Sequence, residues 1–141
     1  DLGFRLPLTL TYTFVHAEFG DGWNDDIAGN RLPYAPEHLI NANLRFEHPI
    51  GLSLMVNVNH TAEQFHDRLE TREPTPDGLN GLIEARTLLD ARVAYTWAPS
   101  GLTLYLSGNN LLDEAYVASR RPQGIQPGAP RLLFAGLSGQ W

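Results

Sequence analysis

The sequence predicts an all-β chain of six antiparallel strands forming a wall that faces a membrane on one side. Three observations predict it. Six segments alternate apolar and polar residues with a period of two, the signature of strands with one apolar face. None of the apolar columns carries a charge, as a lipid-facing surface requires, because Arg or Lys at mid-bilayer costs about 2–4 kcal/mol in a barrel. The connections alternate between short Pro/Gly turns and long polar loops, the distribution expected of a transmembrane barrel with its short turns on one side.

The first segment puts Leu6, Leu8, Leu10, Tyr12 and Phe14 on one face against Thr9, Thr11 and Thr13. The second sets Ile40, Ala42, Leu44 and Phe46 against Asn41, Asn43, Arg45 and Glu47. In the third, Leu52, Leu54, Val56 and Val58 oppose Ser53, Met55, Asn57 and Asn59. The fourth sets Leu89, Ala91, Val93, Tyr95 and Trp97 against Asp90, Arg92 and Thr96. In the fifth, Leu102, Leu104, Leu106 and Gly108 oppose Thr103, Tyr105, Ser107 and Asn109. The last, Arg131 to Trp141, alternates Leu133, Ala135, Leu137 and Gly139, with a less polar second face of Leu132, Phe134 and Gly136.

Two short turns, His48-Pro49-Ile50-Gly51 and Ala98-Pro99-Ser100-Gly101, carry the residues that tight turns need. The long loops run from about Glu18 to Glu37, Glu63 to Arg86 and Leu111 to Pro130. Six strands place Trp141 on the side of the short turns. Tyr12 and Phe14 lie toward the long loops, and Phe46, Tyr95, Trp97 and Trp141 toward the short turns, as two interfacial girdles would. Alternation alone fits a soluble β-sandwich equally well, with the apolar face turned inward. That module would bind ligands or glycans through loop aromatics such as Trp23.

The formal net charge of -6 argues against a nucleic-acid partner. All ten basic residues are Arg, so the Lys that soluble β proteins use to guard strand edges is missing. With no cysteine there is neither a disulfide framework nor a thiolate zinc site. No apolar run approaches the roughly 20 residues of a membrane helix. The chain opens without a charged and then apolar leader, so no signal peptide is expected within it.

Catalytic and metal chemistry are not expected. His16, His38, His48, His60 and His66 lack metal-ligand spacing, and Asp21 to Asp26 lacks the closing Glu of a calcium loop. His60 and His66 would share one side if strand geometry continued past the third strand. No nucleophile motif or phosphate-cradling loop occurs, so no enzyme activity and no cofactor are expected. Asp90 and Arg92, two apart on a polar face that would line the lumen, read as groups of a wall-to-wall or wall-to-plug salt bridge.

Several motifs point to one family. Asn109-Asn110-Leu111-Leu112-Asp113-Glu114-Ala115-Tyr116 resembles the "N-N-L-F-D-x-x-Y" segment near the end of TonB-dependent outer-membrane receptors, with Leu112 where Phe is usual. Pro127-Gly128-Ala129-Pro130-Arg131 resembles the family's "P-G-x-P-R" lead into its final strand. Gly29 to His38 resembles its "G-x-x-L-P-x-A-P-x-H" lead into a descending strand. The closing strand, with Leu133, Ala135, Leu137 and the terminal aromatic Trp141, resembles the signal that the barrel-assembly machinery reads in this family.

The resemblance implies a 22-stranded barrel in the bacterial outer membrane, with a plug domain filling its lumen. Residues 1–141 would be its C-terminal segment, a fragment supplying the last six strands, with the plug and the TonB-contacting box outside it. The implied function is active import of a ferric siderophore, energised through TonB. Val117 to Gly128 is similar to receptors for ferric citrate and related siderophores. Such ligands are anionic, which makes Arg120 and Arg121, then Arg68, Arg72 and Arg86, the candidate ligand contacts. The implied partners are outer-membrane lipid and lipopolysaccharide, the plug and remaining barrel of the same receptor, TonB and the ferric ligand. These arginines could equally pair with loop carboxylates or hold lipopolysaccharide phosphates.

Overall fold

A computed structural model describes residues 3–22, 26–121 and 124–139. The strands are β1 (Leu8–Phe14), β2 (His38–Glu47), β3 (Leu52–Thr61), β4 (Arg86–Trp97), β5 (Leu102–Asn109), β6 (Val117–Ser119), β7 (Gln126–Pro127) and β8 (Leu132–Gly139). Six of them form one antiparallel sheet in the order β1-β2-β3-β4-β5-β8, and β6 pairs with β7 in a small separate ribbon. Each main strand pairs with its sequence neighbour, so the sheet is a meander.

Register makes the wall two-faced. Residues opposite one another in an antiparallel pair project to the same side. One row therefore reads Leu8, Leu44, Val56, Ala91, Gly108 and Leu133 across all six strands, without a polar side chain. On the other side, Thr9, Asn43, Asn57 and Asp90 form the adjoining row. The apolar face is bare: Leu8 is 66% exposed, Leu106 55% and Leu133 73%. A β-sandwich would need a second sheet there. Among the described residues the remaining sheet is the β6–β7 ribbon, which does not pack on the six strands. The polar face is bonded laterally, with Asn59 Nδ2 donating to Asn41 Oδ1 at 2.6 Å and the Thr96 and Thr103 hydroxyls 2.8 Å apart.

Strands β2, β3 and β4 extend beyond the alternation read from the sequence. His60 pairs with Thr87 and Thr61 with Arg86, so backbone pairing continues after the apolar residues end. Strand geometry stops at Thr61, and His66 lies in a loop, so the continued strand that would have set it beside His60 does not form. Within the described wall, Asp90 and Arg92 make contacts other than an ion pair. Asp90 accepts a hydrogen bond from the Asn110 N–H at 2.9 Å, while the Arg92 guanidinium lies 4.1 Å from the Tyr105 ring centroid.

The short turns close as their residues dictate. Gly51 has φ +95°, and a side chain there would run into the Thr96 carbonyl of the neighbouring strand. Aromatics gather at both strand ends. On the long-loop side Tyr12 stacks with His38 and Phe14 packs against it at a tilt, and Phe46 packs with Phe4 and His48 on the short-turn side. Trp141 and Trp23 fall outside the described residues.

Candidate functional site

The three long loops at one end of the wall fold together into a cap. Its apolar centre is small: Ile27 from the first loop, and Phe65 and Ile83 from the second, are 3%, 2% and 0% exposed. Two cations approach the Phe65 ring, with the Arg31 and Arg72 guanidinium carbons 5.4 and 5.3 Å from its centroid. Backbone bonds between Gln64 and Ile83 in both directions close the second loop across its base. Arg31 and Arg72 are paired with Glu37 and Glu63 at 3.6 Å in each case.

Arg120 ties the third loop to the other two. It is only 4% exposed, and its Nη1 and Nη2 donate to the carbonyls of Gly78 and Leu82 at 2.9 and 3.3 Å. Its backbone N–H donates to the Tyr34 hydroxyl at 3.1 Å, and that hydroxyl also meets Ser119 Oγ at 3.3 Å. Tyr34 adopts φ +58°, an uncommon conformation for a non-glycine residue, with its own N–H bonded to the Phe65 carbonyl. One arginine and one tyrosine thus join all three loops.

The other candidate arginines occupy different settings. Arg121 is exposed, its guanidinium 5.0 Å from the Tyr34 ring centroid and 3.5 Å from the His66 carbonyl. Burial, then the charge of Arg121, pushes the His66 imidazole below its ordinary range. Arg68 is exposed, and its backbone carbonyl accepts from Asn30 Nδ2. Arg86, at the start of β4, lies on the polar face with its guanidinium carbon 5.1 Å from the Tyr116 ring centroid. The structure therefore does not bring the five together. Arg72, Arg86 and Arg120 share one neighbourhood, while Arg121 lies on the Tyr34–His66 side.

The motif residues after β5 form a clasp that closes the third loop. Buried Asn110, at φ +50°, donates through Nδ2 to the Glu114 and Ala129 carbonyls and accepts the Glu114 N–H on Oδ1. Leu111 donates its N–H to the Leu89 carbonyl, and its side chain fills the space beside Gly108. Asp113 receives the Arg131 N–H and pairs with the Arg131 guanidinium at 3.4 Å. Tyr116 packs flat on Gly128, where any side chain would collide with its ring, and accepts the Gly128 N–H on its carbonyl. Asn109 ends β5 opposite Leu132, Pro127 belongs to β7, and Pro130 is exposed beside Arg131. Leu133, Ala135 and Leu137 lie exposed in the apolar column of β8.

Between the second and third loops lies a cleft of about 640 Å³, lined among others by Arg72, Leu82, Glu84, Glu114, Tyr116 and Arg120. Sequence reasoning had no access to this cleft, nor to Tyr34 and Phe65. Their contacts join residues as many as 86 positions apart. Among the described residues no group of His, Asp and Glu is placed to hold a metal ion.

Comparison with known proteins places these features in context. Residues 1–111 match the family model described as "TonB dependent receptor-like, beta-barrel". No curated protein matches the chain. Among solved structures, the chain superposes on the ferric citrate transporter FecA in its unliganded form with TM-score 0.82 and 29% identity, covering 92% of this chain and 20% of FecA. The ferric-catecholate import receptor Fiu from K12 E. coli gives TM-score 0.72 at 20% identity, over 97% of this chain and 19% of Fiu. The siderophore receptor PiuA from Acinetobacter baumannii gives 0.71 at 15% identity, over 95% of this chain and 20% of PiuA. The chain spans about a fifth of the length of each of these structures.

Proposed function

Because this chain belongs to the TonB-dependent receptor β-barrel family, we propose that it is the C-terminal wall of an outer-membrane receptor that imports a ferric siderophore. The observation that carries this reading is the charge-free face running across six strands, left bare by every described part of the chain. In water such a face would drive aggregation, whereas against acyl chains it is matched. The polar face then lines a lumen, and the looped cap stands at the outer mouth. The remaining strands of a 22-stranded barrel would pair with the free edges of β1 and β8, removing both open edges.

In this reading the chain performs no covalent chemistry. It holds the loops that capture the ligand, and energy arrives through TonB contacts made by segments outside residues 1–141. Leu133, Ala135, Leu137 and Trp141 serve as the assembly signal. The similarity to FecA, at 29% identity, favours ferric citrate over catecholate ligands as the first candidate.

The test is uptake by cells carrying the full-length gene. Deleting it should abolish growth on ferric citrate as sole iron source and abolish 55Fe accumulation, and removing TonB should do the same. A deletion strain that takes up every ferric chelate normally would sink the reading.

A further inference from the structure

The apolar face of the wall does not by itself tell β5 how to align with β8. On that face β5 presents Leu102, Leu104, Leu106 and Gly108, and β8 presents Leu133, Ala135, Leu137 and Gly139, all without charge. A slip of one residue would exchange the faces, whereas a slip of two keeps apolar against apolar. A tight turn would fix the register of a hairpin, but these strands are joined by the third long loop. The pair nevertheless adopts one alignment, with Leu104 opposite Leu137.

Two mid-strand glycines supply what the face lacks. Neither has a positive φ, so neither is needed for backbone freedom. Glycine weakens a strand interior and there commonly marks the close approach of another group. Opposite Gly136 stands Tyr105, whose phenol ring covers it on the polar face, where any side chain would collide with the ring. Gly136 is accordingly the one residue of β8 that is not exposed. The Arg92 guanidinium carbon, 4.1 Å from the Tyr105 ring centroid, steadies that ring from β4. Opposite Gly108 stands Leu133, which with Leu111 occupies the space a Gly108 side chain would need on the apolar face. Gly108 is the one buried residue of β5. The strands thus exchange parts: β5 gives the ring and β8 the gap on one face, and on the other the roles reverse.

We propose that Tyr105 on Gly136 and Leu133 on Gly108 form a two-sided register key that admits one alignment of β8 on β5, with Tyr105 as its positioning residue. Shifting β8 by two residues in one direction sets Tyr105 against Phe134 and Gly108 against Arg131. That crowds two rings and draws an arginine onto the apolar face. The opposite shift sets Tyr105 against Ser138, with a side chain under the ring, and leaves only the Ala135 methyl at Gly108. Neither shift keeps both fits. The key follows from the pairing itself, while its role in closing a barrel rests on the receptor reading above. There the outer edge of β8 would meet the remaining strands, and an error at β5 would pass into the stagger that closure requires.

The experiment uses the full-length protein, cleared of any cysteine outside residues 1–141, refolded into phosphatidylcholine vesicles and treated with a short thiol cross-linker. Leu104→Cys with Leu137→Cys reports the observed register, and Leu104→Cys with Gly139→Cys or with Ala135→Cys reports the two slips. With no other change, only the first pair should link. Gly136→Ala should reduce that link about tenfold, the scale of an overpacked side chain, and a slipped pair should appear. Adding Tyr105→Ala to Gly136→Ala should restore most of the native link, because the ring that excludes the new methyl group is gone. Adding Tyr105→Phe should not, because the ring stays. Rescue of one damaging change by another is not what general loss of structure produces. If Gly136→Ala alone fails to assemble, recovery in the double variant with Tyr105→Ala supports the key, and continued failure overturns it. Native linking left unchanged by Gly136→Ala would also overturn it, as would several registers in the protein that carries only the cysteine pairs. A protein that stays soluble and apart from the vesicles would remove the receptor reading, and the same cross-links in solution would still decide the key.

Discussion

The wall and the cap are built on different physics. The wall is a single layer in which backbone ladders join six strands, and its apolar side chains gain little by packing on one another. Its stability depends on what lies against the bare face. The cap keeps its own small interior of Ile27, Phe65 and Ile83, and joins three loops through Arg120 and Tyr34. On the proposed reading one region is stabilised from outside by lipid, the other from inside by packing and buried hydrogen bonds. Damage to one should therefore leave the other standing.

Replacement of Phe65 by Ala should break the cap most severely. A buried Phe→Ala change costs about 3–5 kcal/mol, and here it also removes the ring that both Arg31 and Arg72 approach. Hydrogen exchange on the full-length receptor should show protection lost throughout the second loop, with the wall strands unchanged. Loss of protection in β3 and β4 as well would mean that the two regions are one cooperative unit. The reciprocal change is Val56→Arg, at the centre of the apolar face. It should lower the free energy of folding into lipid vesicles by about 2–4 kcal/mol. Asn57→Arg, one residue along on the polar face, should cost far less, because its side chain points away from lipid. Equal costs at the two positions would contradict the assignment of faces.

A smaller effect tests the turns that set the wall's register. Gly51→Ala should cost about 1–3 kcal/mol, since φ +95° and the adjacent Thr96 carbonyl both exclude a side chain. Refolding yield in vesicles should fall without any change in the cap's exchange pattern.

The same division explains what could be read from residue order. The wall was legible because its two determinants are local: alternation along each strand, and turn residues at fixed offsets such as Pro49 and Gly51. The strand ends were less so, since His60 and Thr61 are held by pairing with Thr87 and Arg86 and not by their own apolar character. The cap was hardly legible at all. Nothing near Arg120 in sequence says that its guanidinium meets the carbonyls of Gly78 and Leu82, or that Tyr34 reaches Ser119. The β6–β7 ribbon was missed for a similar reason, being too short and irregular to show a period. The motif around Asn110 stood out in the sequence, but its work became evident only in space: Asn110, Asp113 and Tyr116 clasp the two ends of the third loop against Ala129, Arg131 and Gly128.

The smallest expected effect separates the two regions by pH. His66 lies in the cap, and burial followed by the charge of Arg121 holds its imidazole below the ordinary value of 6.5. The unfolded loop therefore binds a proton more readily than the folded one. Above the ordinary value both states are neutral at this position, and its contribution to folding is constant. As pH falls below it, the unfolded state gains the proton first, so the cap should lose stability until the folded imidazole also titrates. Hydrogen exchange in the second loop should accelerate over that acidic window while β2 and β3 stay protected. His66→Gln should flatten the dependence, because glutamine carries no titrating proton. Acid sensitivity that survives in His66→Gln would shift the cause to another group, and sensitivity extending into the wall would undo the separation between wall and cap.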